Sequence, residues 1–158
     1  SCNDYCEMTD YQSYFPLEIG NKWTYRTYGN WEVIGTKEIN KQIYYDVLVS
    51  DEYQEHSYNI YYRFEDSKLF RYSDSDSLEI LFADFSLNED DTFHQENTGF
   101  NVTVWSDNPN GFVFYYDYPD GADEEYAVKF RIDIGILGYC SVAWEECDFM
   151  DLTDYELQ

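Results

Sequence analysis

YAVKFRIDIGI, residues 126–136, carries the clearest periodic pattern in the sequence. From Tyr126 to Ile136 every second residue is apolar, while the positions between them hold Ala, Lys, Arg, Asp and Gly. A period of two places successive side chains on opposite faces of a β-strand. The stretch therefore predicts one long strand, with one face buried in a core and the other facing solvent.

Shorter stretches with the same alternation lie along the rest of the chain. The clearest are residues 43–49, 58–64, 78–82, 100–104 and 112–116. About ten such runs follow one another with turn residues between most of them, and no segment of ten or more residues has a helical period. We therefore predict an all-β fold, an antiparallel meander of about ten strands closed as a barrel or folded as a sandwich, with little or no helix.

Length and composition favour a single domain of this kind. The chain has 158 residues, and its apolar residues are dominated by 18 Tyr and 11 Phe, with only two Met. Aromatic residues suit the half-buried surfaces of sheets, whereas helical bundles use more Leu, Ala and Met. Residues 1–13 are polar and aperiodic. We expect them to form an N-terminal tether or anchor, and residues 14–158 to form one antiparallel β domain.

The charge balance excludes one class of partner. Nine basic residues face 33 acidic ones, which gives a formal net charge of −24. Such a surface repels phosphate backbones and anionic lipid headgroups, so we expect no nucleic-acid partner and no membrane contact except through a lipid anchor. No motif requires a cofactor. Calcium is a candidate ligand at the acidic turn that holds Asp117, Asp120, Asp123 and Glu124, where the alternative is a merely solvated turn.

The four cysteines form two close pairs, Cys2 with Cys6 and Cys140 with Cys147. An even number in an acidic, Tyr-rich chain suits disulfides formed in an oxidising, extracellular setting. Their spacings, CxxxC and CxxxxxxC, match structural zinc sites poorly. Three pairings are open, and pairing between the two ends would close the longest loops, which favours it in the chain-entropy model.

Catalytic motifs are absent from the sequence, and the exposed aromatic residues are the better candidates for a site. The chain has two histidines, and it has no GxSxG, HExxH, P-loop or GxGxxG motif. A hydrolase that uses two carboxylates is the third-ranked hypothesis, because no pattern selects a pair. Tyr44, Tyr61 and Tyr115 fall opposite the apolar faces of their strands, where they could stack on a glycan. The alternative is that they pack in the protein.

YFPLEIGNKWTY (14–25) and LFADFSLNEDDTF (81–93) follow one another along the chain. Together they resemble the FPLxxGNxWxY opening and the DFSLxxGDTF segment of a largely uncharacterised family of secreted and lipid-anchored β-rich proteins of Bacteroidota and related bacteria. DIGILGYC (133–140) resembles its GIGLV strand. Asp90 stands where the family has the Gly of GDT, and Lys41 stands where it has the Gly of an Asn-Gly turn.

The resemblance implies a location more than an activity. Members of the family are exported, often as surface lipoproteins, and Ser1-Cys2 resembles the end of a lipobox, so Cys2 is a candidate for lipid attachment. We expect an extracellular or outer-surface bacterial protein after removal of a signal peptide. The predicted function is a non-catalytic structural or interaction module that binds a protein partner or self-assembles. A carbohydrate-binding module is the alternative.

Overall fold

The computed structural model describes residues 10–51, 53, 55–106, 110–119, 125–141 and 151–158. A short 3-10 helix, Tyr11–Tyr14, precedes the strands. The strands are β1 (Lys22–Tyr25), β2 (Gly29–Ile39), β3 (Gln42–Ser50), β4 (Ser57–Glu65), β5 (Lys68–Ser73), β6 (Leu78–Asp84), β7 (Thr92–His94), β8 (Asn101–Ser106), β9 (Gly111–Asp117), β10 (Tyr126–Arg131), β11 (Gly135–Ser141) and β12 (Leu152–Glu156). No helix in the described ranges is long and apolar enough to cross a membrane.

The strands form two antiparallel sheets. The first sheet has seven strands in the order β12-β1-β2-β3-β4-β5-β6, and the second has five in the order β11-β10-β9-β8-β7. Almost every strand pairs with its neighbour in sequence, as a meander requires, and β12 returns to pair with β1. The predicted all-β fold is confirmed, and it takes the form of a sandwich rather than a closed barrel.

The prediction of one strand over residues 126–136 is wrong in one respect. β10 ends at Arg131 and β11 begins at Gly135, with a turn between them. Asp133 and Gly135 have φ values of 65° and 112°, so the chain reverses through the left-handed region. The alternation continues across this turn because Ile132 is packed against the core although it lies outside a strand. A period of two therefore cannot distinguish one strand from a tight hairpin here.

Trp23 on β1 joins the two sheets at this hairpin. Its ring is fully buried and stacks on Phe15 with centroids 5.3 Å apart. Its indole Nε1 donates a 2.6 Å hydrogen bond to the carbonyl oxygen of Ile134. Two residues on, the Tyr25 hydroxyl donates to the carbonyl of Ile136 at 2.8 Å. The β10–β11 turn is therefore held against β1 by both packing and hydrogen bonds.

Asn21 fixes the entry to β1 and the return of the chain end. Its side chain is buried, its Nδ2 donates to the carbonyl of Pro16 at 2.6 Å, and its Oδ1 accepts from the backbone N–H of Gln158 at 2.7 Å. Gly20 before it has a φ of 97° and donates its N–H to Val33. The Gly-Asn pair of the opening motif is thus structural, and it aligns β12 beside β1.

Candidate functional site

An open groove of about 690 Å³ lies at one end of the first sheet, where β1 and β3 finish and β2, β4 and β12 begin. We call it the end groove. Its walls come from the β1–β2 connection, from the loop that joins β3 to β4, and from Thr153 of β12. Loop side chains supported by strand ends are a common setting for binding sites.

Three exposed tyrosines converge on the end groove. Tyr28, Tyr53 and Tyr58 are 41%, 77% and 57% exposed. Tyr58 continues the core-facing alternation of β4 but lies at its start, where the core ends. Tyr28 is held in place by the ring of Tyr139, 5.2 Å away between centroids. The groove therefore presents aromatic surface that the protein's own packing leaves open.

Polar groups lie among these rings, and the carboxylate among the described lining residues already accepts backbone hydrogen bonds. The Asp51 carboxylate accepts the backbone N–H groups of Glu55 and His56 at 2.9 and 3.2 Å, which closes the β3–β4 loop. His56 and Arg26 also line the groove, and the Arg26 guanidinium forms no ion pair with any described residue. The groove thus offers hydrogen-bond donors and one carboxylate that the backbone occupies.

Gly29 allows the groove to form. It has a φ of 77°, and a Cβ atom at this position would lie 2.1 Å from the carbonyl oxygen of Ser50. No other residue fits so close to the end of β3. Thr27 completes the turn, because its N–H and hydroxyl donate to the Asp151 carboxylate at 3.1 and 2.9 Å. Burial, and to a smaller extent Asp151, raises the pKa of Tyr28, which therefore keeps its proton at neutral pH.

Two of the tyrosines expected to stack on a glycan are covered. Tyr44 and Tyr61 lie on the outer face of the first sheet, as predicted, but they pack with Tyr72 and are 2% and 3% exposed. The Lys37 ammonium lies 4.9 Å from the Tyr61 ring centroid, and the Arg63 guanidinium lies 5.8 Å from that of Tyr44. These rings therefore leave little surface for a sugar.

Tyr115, the third predicted stacking residue, is partly buried on the outer face of the second sheet. Its ring stacks on Trp105 with centroids 4.4 Å apart and an interplanar angle of 14°. Burial and a hydrogen bond to Glu125 raise the pKa of Tyr115 to about 12. Trp105 is 39% exposed. This pair is the second aromatic surface that the structure leaves open, and sequence reasoning identified only part of it.

The calcium, disulfide and lipid predictions fall largely outside the described residues. Asp117 ends β9, whereas Asp120, Asp123 and Glu124 lie outside. No group of three or more His, Cys, Asp or Glu side chains within the described part of the chain is placed to hold a metal ion. Cys140 is buried on β11, and Cys2, Cys6 and Cys147 lie outside the described ranges. These hypotheses stay predictions.

A smaller pocket of about 260 Å³ at the edge of β6 contains two carboxylates, Glu79 and Glu96, beside His94. Glu79 accepts hydrogen bonds from both Nε and an Nη of Arg63 at 2.9 Å. Partial burial raises the pKa of Glu79, but the bonds from Arg63 and Tyr44 outweigh it, so the pKa lies below the ordinary glutamate value. A general acid needs the opposite shift.

Comparison with known proteins gives no relative. No protein-family model, curated protein or solved structure matches the chain. The family resemblance of the two longest motifs therefore stays a prediction. The geometry of the end groove is the observation from which a function can be proposed.

Proposed function

We propose that this protein is a non-catalytic binding module that acts outside the cell, and that its end groove binds a glycan. One observation carries the proposal: three exposed tyrosines meet in one open groove among polar side chains. Single exposed aromatic residues are common on protein surfaces, but a concave cluster is not. The proposal therefore combines two hypotheses from the sequence: the non-catalytic module, which ranked first, and carbohydrate binding, which ranked second.

The chemistry of the groove suits a sugar. Pyranose rings have apolar C–H faces, which pack on aromatic rings, and hydroxyl edges, which need hydrogen-bond partners. Tyr53 and Tyr58 supply the faces, and Arg26, His56 and Asn30 supply polar groups around them. A volume of about 690 Å³ lies within the range of roughly 300–1,000 Å³ that small-molecule sites occupy.

The described residues that line the groove lack the pair of carboxyl groups that glycoside hydrolysis needs. Hydrolysis requires two carboxyl groups, one to give a proton and one to act as nucleophile or base. Asp51 is the one carboxylate among the described lining residues, and two backbone N–H groups occupy it. We therefore propose binding without turnover.

The proposed location outside the cell depends on three hypotheses about export and modification of the chain. Export, disulfides and a lipid on Cys2 rest on the sequence, and the intact mass of native material tests all three. Lipid attachment predicts a mass increase on the order of several hundred daltons, and each disulfide predicts a mass lower than that of the reduced chain by two hydrogen atoms. A native mass equal to that of the fully reduced, unmodified chain would contradict them.

Electrophoresis in native gels that contain a polysaccharide tests the glycan proposal. We would use xylan, β-glucan, mannan, pectin and chitin in soluble form, each in a separate gel. At least one is expected to retard the protein, and Tyr58→Ala should weaken retardation by about threefold to tenfold in apparent affinity, the effect of losing one stacked ring. Retardation by none of them would contradict the proposal, and so would release of reducing sugars.

Trp105→Ala is the matched control, because it removes an exposed ring from the second sheet instead of the groove. We expect its retardation to equal that of the wild type. If Trp105→Ala abolishes retardation and Tyr58→Ala does not, the stacked pair of Trp105 and Tyr115 is the site and the end groove is not.

Self-association by strand addition is less favoured, because both edges of the first sheet are blunted. At β6, the side-chain amides of Gln95 and Asn97 donate to strand carbonyls at 2.8 and 2.9 Å. At β12, the Asp154 carboxylate accepts the N–H of Tyr155 at 2.9 Å. Occupied or charged edges resist pairing. Strand addition at the first sheet is therefore disfavoured, and light scattering of the pure protein is expected to show a monomer.

A further inference from the structure

Arg71 points into the sandwich. On β5 it pairs with Tyr62 of β4 and Ile80 of β6, both of which face the core, whereas its neighbours Phe70 and Tyr72 do not share that face. Its guanidinium carbon lies 5.0 Å from the ring centroid of the fully buried Phe82. The side chain is only partly buried, so solvent reaches it.

The charge of Arg71 has no anionic partner among the described residues. Its guanidinium forms no ion pair with any of them and faces the neutral hydroxyl of Tyr62. Arginine stays protonated in proteins, so the charge cannot be removed by loss of a proton. The hydroxyl of Tyr62 beside it is completely buried, and it makes no hydrogen bond of ordinary geometry with a described residue, although Arg71 and Tyr139 lie close to it. Groups of this kind are costly unless an acceptor reaches them.

The described groups that act most strongly on Arg71 are neutral hydroxyls and not carboxylates. Three tyrosines of the second sheet, Tyr116, Tyr126 and Tyr139, act on Arg71 from across the sandwich. The rings of Tyr116 and Tyr126 continue the stack that begins at Phe82, with centroids 5.6 and 4.5 Å apart. Burial raises the pKa of Tyr62 to about 12 and raises those of the other three as well, so all four hydroxyls keep their protons. The Tyr116 hydroxyl donates to the carbonyl of Phe82.

We propose that Arg71 and the hydroxyls of Tyr62, Tyr126 and Tyr139 form an internal site for a carboxylate. The planar guanidinium matches the two oxygens of a carboxylate, and the hydroxyls can donate to its remaining lone pairs. A singly charged anion is favoured over phosphate or sulfate, because a protein with a net charge of −24 repels a second negative charge more strongly. This site is independent of the glycan proposal.

Thermal unfolding in sodium acetate tests the proposal, with sodium chloride and sodium phosphate at the same ionic strength as references. Acetate is expected to raise the wild-type Tm above that in chloride, because a ligand that binds only the folded state stabilises it. Arg71→Met should abolish the difference. Tyr62→Phe removes one donor and should weaken the acetate affinity, obtained from the concentration dependence of Tm, by about twofold to tenfold.

Arg131→Gln is the control, since it removes an exposed arginine at the end of β10 and should leave the acetate effect unchanged. Equal Tm values in acetate and chloride would overturn the proposal and would mean that solvent alone satisfies Arg71. An equal loss in Arg131→Gln would also overturn it, as would an unchanged affinity in Tyr62→Phe, the variant that keeps the charge if Arg71→Met does not fold. A stronger effect of phosphate would show that the site is not selective for carboxylates.

Discussion

Gly135 shows how much a single position contributes to the joining of the two sheets. It has a φ of 112°, and a Cβ atom there would lie 3.2 Å from the Phe15 ring and 3.3 Å from the Trp23 indole nitrogen. Left-handed backbone is strained for any residue with a Cβ, and the two rings that would have to move are buried. Gly135 is therefore required twice, by the turn and by the packing against it.

Gly135→Ala is expected to lower the free energy of unfolding by about 1–3 kcal/mol, because strain in the backbone adds to crowding in the core. Gly35→Ala is the control, since a Cβ there meets nothing within 4 Å and its φ is not left-handed. Urea unfolding of both variants measures the difference. Equal stability of the two variants would contradict the proposed role of the β10–β11 turn.

The direction of a single side chain can be predicted from the period of its strand. Its exposure cannot be predicted where side chains of neighbouring strands cover it. Trp23 and Tyr25 are two residues apart on β1, and both are buried, as the strand period requires of residues that share a face. The outward direction of Tyr44 was correct, but Lys37 and Arg63 sit across neighbouring strands, so the covering of its cluster depends on strand register. The core-facing position of Arg71 could not be predicted, because a single arginine between aromatic residues indicates an exposed position.

The turn of the β2–β3 hairpin has Lys41 at a position whose backbone conformation favours glycine. Its two turn residues, Asn40 and Lys41, have φ values of 51° and 67°, the type I′ geometry that favours Asn-Gly. Asp90, the other departure from the family pattern, is also left-handed, with a φ of 71°. The bends that glycine makes in the resembled family are thus made here by residues that carry a Cβ.

Lys41→Gly is expected to raise the free energy of unfolding by about 0.5–1 kcal/mol. Glycine removes the left-handed strain, and this gain exceeds the extra entropy it brings to the unfolded chain. Glu38→Gly, at an exposed position of the same hairpin, should lower stability by a similar amount. A Lys41→Gly variant less stable than the wild type would contradict the turn assignment.

The ion pair between Arg63 and Glu79 lies on the outer face of the first sheet. We expect its contribution to the free energy of unfolding to depend on pH. Because the folded-state pKa of Glu79 is lowered, its contribution is fully present above the ordinary glutamate pKa and is lost as the pH falls through the lowered value. Glu79→Gln should therefore cost about 1 kcal/mol near pH 7, since the pair is partly exposed, and nothing once the pH is well below the lowered pKa.

Glu32→Gln is the matched control for Glu79→Gln, because Glu32 forms only an exposed 3.8 Å pair with Lys22. Its stability should follow the wild type at every pH. Guanidinium unfolding across the pH range measures both variants. A Glu79→Gln deficit that grows on acidification would contradict the lowered pKa.

The existence and type of most strands could be predicted, and their boundaries in part. Runs such as residues 112–116 alternate buried and half-buried side chains, so period and structure agree. The period fails at residues 132–134, where core-facing isoleucine continues it through a turn. The pairing of β12 with β1 could not be predicted, because it depends on contacts between the two chain ends through Asn21 and Gln158.

At the scale of the whole molecule, the net charge of −24 should make stability depend on salt. Sodium chloride is expected to raise the Tm as it screens repulsion between carboxylates, mostly below about 0.2 M, where the screening length falls to the spacing of surface charges. Calcium chloride at equal ionic strength should raise it further if the acidic turn binds calcium. Equal Tm values would discard the calcium hypothesis, and a Tm that falls with sodium chloride would contradict the role of self-repulsion.

The end groove could not be located from the sequence. Tyr28, Tyr53 and Tyr58 belong to two loops and a strand end, and they meet only because β1, β3 and β4 end at one side of the sheet. The many aromatic residues of the sequence predict that some are exposed, and exposed rings are candidates for glycan stacking. Which of them are open was decided by packing, which covers Tyr44 and Tyr61.

The most direct test of the central claim is the mobility of three proteins in a native gel that contains the polysaccharide found to retard the wild type. The wild type and Trp105→Ala are expected to be retarded equally, while the double variant with Tyr53→Ala and Tyr58→Ala is expected to migrate as in a gel without polysaccharide. Retardation of the double variant equal to that of the wild type would contradict the assignment of the end groove as the binding site.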